Sequence, residues 1–438
     1  MLLATPLMGG AQERPQFRTT VDVVQLQVAI ADARGDHMPN LTGEDFVLRV
    51  NGQVRDLIAV YEVDLRQIQP DEDSDRFIPA GGWRQFLLFF DFSFTTKGGV
   101  VRAQEAAAHF VQNDLHPKDL VGVATDSPVG GLQLVSPFTA DRGQVLDAIR
   151  GFGLNRAQFI VDPAGFVVRP LAAALEVEAA GDFSFAETDA RTSRSDLQAL
   201  VQQTLEAGYF DTKRADFRRY REEAINYVDQ LGSLGKLLTA TRGRKHVLLF
   251  SAGFDDEVLT GQTLEELAND SAMLQAGQAY NINAESRFGS ADLRRSLEQA
   301  MKNLQASDTV FHALDVGGLG HDAVDDTFRT TKGGKQALSF IADGTNGTIA
   351  WNTNDLKPFL ATLAEETSRY YVLAYSKAAD DPPVVELDVT VRKPGVRVIA
   401  APRRFSPPPA YADMDQARPE ERRGGEVGRS RGRPVDAS

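Results

Sequence analysis

Asp91-Phe92-Ser93-Phe94-Thr95 places one carboxylate and two hydroxyls at alternate positions, directly behind the apolar run Phe86-Leu87-Leu88-Phe89-Phe90. Side chains two apart on an extended chain point the same way, so Asp91, Ser93 and Thr95 share one side of the loop leaving a strand. In an open α/β sheet such a loop borders the crevice where ligands bind. Hard oxygen donors gathered there suit Mg2+, Mn2+ or Ca2+, with water completing the shell. The same residues also have a plainer use, with Ser93 and Thr95 capping a helix that starts near Gly98 and Asp91 ending the strand.

Other constellations carry less chemistry. Asp71, Asp73 and Asp75 imitate the opening of a calcium loop. Position six is Arg76 and position twelve Gly82, so the turn glycine and the bidentate glutamate are missing and an acidic linker is expected. His312, Asp315 and His321 lack zinc-site spacing, and a histidine inside the apolar stretch Thr309–Leu314 reads as a core residue with its hydrogen bonds met. Thr96-Lys97-Gly98-Gly99 lacks the pattern of a phosphate loop. Ser251-Ala252-Gly253 has its serine out of frame for a nucleophile elbow. Six scattered histidines offer little acid–base machinery. Glu222-Glu223 and Glu365-Glu366 fall on helical stretches and read as solvent faces.

The 438 residues are 42% hydrophobic and 25% charged, which is globular and long enough for two domains. With 61 acidic against 47 basic residues the net charge is −14, a poor match for nucleic acid or anionic lipid. No apolar stretch is long enough to span a bilayer. The absence of cysteine removes disulfides, thiolate catalysis and cysteine-ligated metals together. Residues 1–16 read as a leader: an apolar run closing on Met8-Gly9-Gly10-Ala11 before polar Gln12-Glu13-Arg14, as in the rear half of a signal peptide. A secreted, periplasmic or cell-envelope location is expected from it.

The elements that must position the donors follow from periodicity. Residues 17–70 alternate as an antiparallel β module, with Asn51-Gly52 as a hairpin turn and Leu57–Tyr61 as the return strand. Residues 83–368 alternate buried strands with helices, as in an α/β, doubly wound, mainly parallel sheet of Rossmann-like type. Strands are expected at Gln85–Phe90, Leu120–Thr125, His246–Ser251, Thr309–Asp315 and Gly347–Trp351. Helices are expected at Val100–Asn113, Gly143–Arg150, Ala291–Ala306, Gln336–Asp343 and Leu356–Glu366. A helical insertion occupies about residues 155–242, where a single crossover needs about thirty residues. Residues 369–401 return to strand patterning as a C-terminal β hairpin packing on the N-terminal module. Residues 402–438 form an Arg-, Pro- and Gly-rich tail with no apolar face to bury, expected to be disordered.

Several blocks together resemble the von Willebrand factor type A (vWA) domain, in the variant found in exported Acidobacteria-type proteins. Asp91-x-Ser93-x-Thr95 is similar to the Asp-x-Ser-x-Ser head of that family's metal-ion-dependent adhesion site. Gly243-Arg244-Lys245 through Ser251-Ala252-Gly253-Phe254-Asp255-Asp256 resembles its third-strand segment, and Leu120–Thr125 its second strand. Leu41-Thr42-Gly43-Glu44-Asp45-Phe46 resembles its N-terminal module, and Tyr371-Val372-Leu373-Ala374-Tyr375 its C-terminal strands. The resemblance spans roughly residues 17–405 and implies a site for Mg2+ or Mn2+ held by Asp91, Ser93 and Thr95. Ala252 stands where the family has a metal-holding aspartate, and the family's loop threonine has no match, so the implied site is incomplete; Asp255 or Asp256 would have to reach it through water. The resemblance thus implies a non-enzymatic interaction or adhesion module with a degenerate metal site, binding a protein partner or envelope component. Two alternatives stand beside it: a metal-assisted envelope hydrolase, and a scaffold whose site holds no metal or ligand.

Overall fold

Alternating burial along residues 23–64 builds two half-sheets rather than one. The computed structural model describes residues 23–68, 83–128, 130–151, 217–262, 264–277, 287–318, 334–378 and 380–406. The leader, Asp71–Asp75, residues 155–216 of the insertion, His321 and the tail beyond residue 406 lie outside them. Strands β1 (Val23–Ala31), β2 (Phe46–Val50), β3 (Gln53–Arg55) and β4 (Leu57–Asp64) come first. Asn51 and Gly52 have φ of 50° and 79°, the left-handed pair that a two-residue hairpin requires. That tight turn pairs Val50 with Gln53, so the return strand is β3. Leu57–Tyr61, expected as the return strand, belongs to a different sheet.

The central layer consists of β5 (Gln85–Asp91), β6 (Leu120–Asp126), β7 (Gln133–Thr139), β8 (Lys245–Ser251), β9 (Thr309–Asp315) and β10 (Ile349–Ala350). Their order is β10-β9-β8-β5-β6-β7, parallel except for β7, which runs against β6. The chain starts in the middle, winds out to β7, then crosses back to the other side of β5. The fold is therefore α/β with a mostly parallel sheet, and its winding reverses between β5 and β8. Sequence patterning places no strand at β7: Gln133, Leu134 and Val135 are exposed, and Pro137, lacking an N–H, is tolerated because β7 is an edge strand.

Every residue of β5 is buried, and alternate side chains feed two cores. Phe86, Leu88 and Phe90 face helices α1 (Lys97–Asn113) and α2 (Arg142–Gly151), together with α8 (Lys357–Glu366). Leu87 and Phe89 face α3 (217–238), α6 (Ala291–Ala306) and α7 (Lys335–Gly344). The short α4 (Asp256–Thr260) adds Val258 and Leu259 to this second core, and α5 (Leu264–Gln275) follows it. In α6, Leu293, Leu297, Ala300, Met301 and Leu304 make one apolar face, and Ser290 caps its first turn by accepting the Leu293 N–H. The part of the expected insertion that is described, α3, belongs to the core. Ala224, Tyr227, Val228, Leu231 and Leu234 pack on the sheet, as the crossover from β7 to β8 requires.

The chain closes with β11 (Arg369–Ser376), β12 (Val385–Val391), β13 (Arg397–Ala400) and β14 (Arg404–Phe405). Here the expected C-terminal hairpin is corrected. β11 inserts between β1 and β4, whereas β12 pairs with β2 and β14, so the two strands enter different sheets. Burial explains the division: β11 is buried on both faces as a central strand, while β12 alternates buried and exposed. The sheets β13-β1-β11-β4 and β14-β12-β2-β3 enclose one core containing Leu26, Val28, Leu48, Tyr371, Leu373 and Leu387. Order also continues past residue 402, where a tail was expected. Phe405 is buried in this core, the Arg403 carbonyl accepts the Leu387 N–H, and Ser406 bonds to Ala306.

The sandwich meets the α/β core at the amino edge of the central sheet. Leu65 bonds to Ser368, Arg66 to Glu365, and Trp83 stacks on His116. A buried ion pair sits at the same edge, with Arg84 Nη2 2.6 Å from Asp119 Oδ2. Arg84 Nη1 also donates to the Ala364 carbonyl and to Thr367 Oγ1, locking the end of α8 to the start of β5. Removing one partner leaves a buried charge unmet, so Arg84→Ala should cost about 3–5 kcal/mol in urea denaturation. The apolar pair Arg84→Met/Asp119→Leu should recover most of that loss, and equal losses in both variants would refute the account.

Candidate functional site

Parallel pairing brings the strand ends side by side. Asp91 is in register with Asp126 across β5 and β6, and Ser251 ends β8 on the other flank. The Asp91 carboxylate is buried and fully engaged. Its Oδ1 accepts the N–H groups of Ser93 (2.8 Å) and Phe94 (3.0 Å), and its Oδ2 accepts the Ser251 hydroxyl. Ser251 Oγ in turn accepts the Gly253 N–H. Ser93 Oγ donates to Asp126 Oδ2 at 2.6 Å, so the first serine of the motif links the two acids. Thr95 Oγ1 and Asp126 Oδ1 are buried with no hydrogen-bond partner among the described residues. Capping of α1 falls to Thr96, which accepts the Gly99 N–H, and not to Ser93 or Thr95.

Burial drives the electrostatics. It pushes the Asp91 carboxyl up to about 7, against the opposing pull of the Ser251 hydroxyl and with the charge of Asp126 adding to the rise. Asp126 is raised for the same reason, with the Ser93 hydroxyl opposing. Tyr227, from α3, is raised far above its ordinary value by burial and then by the charges of Asp91 and Asp126. A cavity of about 350 Å³ opens beside the acids, walled by Ser93 and Asp126 on one side and by Glu223, Tyr227 and Gln230 of α3 on the other.

Asp126, Ser251 and Tyr227 escaped the sequence reading. The first two had a usable signal, because Asp126 and Ser251 end the second and third buried strands as Asp91 ends the first, and parallel strands align their ends. Asp255 and Asp256 do not turn to the site. Asp255 accepts the Glu257 N–H as cap of α4, and Asp256 accepts the N–H groups of Gln336 and Ala337 at the start of α7. His312 and Asp315 are separate again. His312 bonds to His246 (3.1 Å) and Thr348 (2.9 Å), and Asp315 accepts the Gly317 N–H.

The donor set that the resemblance implies is incomplete for a divalent ion. Asp91 accepts protein donors on both oxygens and Ala252 offers no side-chain oxygen, which leaves the hydroxyl oxygens of Ser93 and Thr95 as the remaining members of the implied set. Among the described residues no group of three or more His, Cys, Asp or Glu converges to hold a metal. The arrangement instead offers buried negative charge and unmet acceptors beside a cavity.

Two pH dependences follow. The folded chain holds the Asp91 proton to higher pH than the unfolded chain does, so this group's stabilising contribution is full below about pH 4 and is lost as pH rises through about 7. Asp91→Asn should therefore gain on the wild type between pH 5 and pH 8, by up to about 1.4 kcal/mol per pH unit in urea denaturation. An unchanging difference would refute the buried charge. For the histidines the sign reverses. Burial first, then neighbouring charge, pushes His312 down to about 3 and His246 well below its usual value. Their contribution is present above about pH 6.5 and drains as pH falls towards 3. The ring signals of both should stay constant in NMR from pH 8 to pH 5, whereas a midpoint near 6.5 in either would overturn this.

No family model matches the chain, and no curated protein matches it. Solved structures similar to parts of it include an aerotolerance-related membrane protein from Bacteroides fragilis, at 11% identity and a TM-score of 0.29, over 65% of this chain and 99% of that one. A second is the pilus adhesin SpaC of Lactobacillus rhamnosus GG, at 11% identity and a TM-score of 0.31, where the match covers 82% of this chain and 47% of the adhesin. A third is the pilus tip protein Mfa5 of Porphyromonas gingivalis, at 10% and 0.29, over 80% of this chain and 56% of the Mfa5 domains. At these values the likeness bears on neither the layout nor the activity of this chain.

Proposed function

We propose that this chain is an exported, non-enzymatic interaction or adhesion module. Its vWA-like domain seats a protein partner or envelope component in the crevice at the carboxyl edge of the central sheet. The observation that carries this reading is the pair of buried acids, Asp91 and Asp126, in register at the carboxyl ends of β5 and β6, with Asp126 lining an open cavity. The sandwich is joined at the opposite edge, so it leaves that crevice open. No helix among the described residues is long and apolar enough to cross a membrane. In this reading binding at the crevice proceeds without a divalent ion, because Ala252 takes a carboxylate out of the donor set and Asp91 already accepts protein donors on both of its oxygens.

The test uses the full chain as bait on envelope extracts, in EDTA and in Mn2+. Ser233, exposed on α3 at the cavity wall, is replaced by Trp to fill the crevice without touching the core. A component retained equally in EDTA and Mn2+, and lost with Ser233→Trp, is the expected result. Retention that requires Mn2+ would overturn the metal-free reading. Equal retention by Ser233→Trp would overturn the crevice as the binding surface.

A further inference from the structure

The cavity beside Asp126 is chemically one-sided. Asp126, Glu223 and Asp229 line it with carboxylates, Asn226 and Gln230 with amides, and among the described residues no Lys, Arg or His is on its wall. Glu223 pairs with Arg219 on the same helix at 3.8 Å, a partly exposed contact of the kind that neutralises little. Asp126 is only 1% exposed, yet its Oδ1 has no hydrogen-bond partner among the described residues. A buried carboxylate oxygen left unmet is costly, and Asp126 lines a cavity of about 350 Å³, the low end of the size range of ligand sites. The acids stand on separate walls, Asp126 at the end of β6 and Glu223 and Asp229 on α3. Such a spread suits a donor group of some width rather than a bare ion that needs six or more oxygens at one point.

We propose that this cavity binds an organic cation on a flexible stem, the guanidinium or ammonium end of an Arg or Lys side chain presented by the partner, with Asp126 Oδ1 as its principal acceptor. The proposal rests on the crevice reading above and gives it a chemistry. Guanidinium suits the walls best, because its planar fork carries five N–H donors and can reach two acceptors at once. The net charge of −14 favours the approach of such a group, most strongly at low ionic strength.

The experiment is calorimetric titration of the full chain, without divalent ions and at low salt, with the blocked tripeptides Gly-Arg-Gly, Gly-Lys-Gly and Gly-Glu-Gly, and with agmatine as a free cation. The Arg peptide should bind at least tenfold more tightly than the Glu peptide. Asp126→Asn should weaken the Arg peptide at least tenfold, and Glu223→Gln, on the rim and remote from the sheet, severalfold. Wild-type preference for the Glu peptide, or full affinity in both variants, would overturn the proposal. So would failure of every cation to bind; if Ser233→Trp still loses a captured component, that failure overturns the cation alone and the crevice reading stands. Conversely, tight peptide binding with no captured component that depends on Ser233 supports the cation site and removes the macromolecular partner. Agmatine binding tighter than the Arg peptide would overturn a partner's side chain as the source and assign a free amine.

Discussion

A carboxylate at the end of a completely buried strand needs hydrogen-bond donors, and the carboxyl edge of the central sheet is organised around that need. Asp91 terminates β5, the strand on which both cores rest. Two N–H groups satisfy it from the loop that it begins, and a hydroxyl satisfies it from β8. The loop can supply those N–H groups only by curling back, and the curl turns the Ser93 hydroxyl towards Asp126. Ser251 in turn holds Gly253, whose φ of 74° takes the chain away from β8. That turn passes so close to Gly334 that a Cβ on Gly253 would lie 2.3 Å from the Gly334 carbonyl oxygen. One buried charge thus sets the course of two loops.

The same edge explains the form of the Asp91-x-Ser93-x-Thr95 loop. Ala252 adds no charge to a place where the acids Asp91 and Asp126 are already hard to ionise. What forms is a network in which each serine hydroxyl is given to a carboxylate, leaving one acid with an oxygen to spare. Helix α3 covers this network with Tyr227 and makes a chamber of what would otherwise be a surface groove.

Much of this was legible in the residues. The unbroken apolar run Phe86–Phe90 could only be a strand covered on both sides, and the single-faced spacing of Leu293, Leu297 and Leu304 could only be a surface helix. Asn51-Gly52 located its turn to the residue. What stayed hidden depends on partners distant in sequence. Pro137 disguises β7, because its fitness as a strand depends on lying at an edge. Leu57–Tyr61 and Val385–Val391 alternate as any strand does, and nothing local says which sheet they join. At the site, Asp91, Ser93 and Thr95 were visible as a motif, but Asp126 belongs with them only through the register of β6 against β5.

The position of β11 has a consequence for how the molecule is made. This strand is the middle of its sheet, bonded to β1 on one side and β4 on the other, and its Tyr371 hydroxyl holds Met38 and Leu41 of the N-terminal segment in place. On the ribosome, β1 and β4 emerge roughly three hundred residues ahead of the strand that joins them. At about 5–20 residues per second they wait tens of seconds with open edges. The sandwich cannot close before β11 arrives, so β1 and β4 are among the last strands to be paired. Unpaired strand edges held that long invite pairing with another chain. The N-terminal segment is therefore the part of this protein with most need of a chaperone's protection.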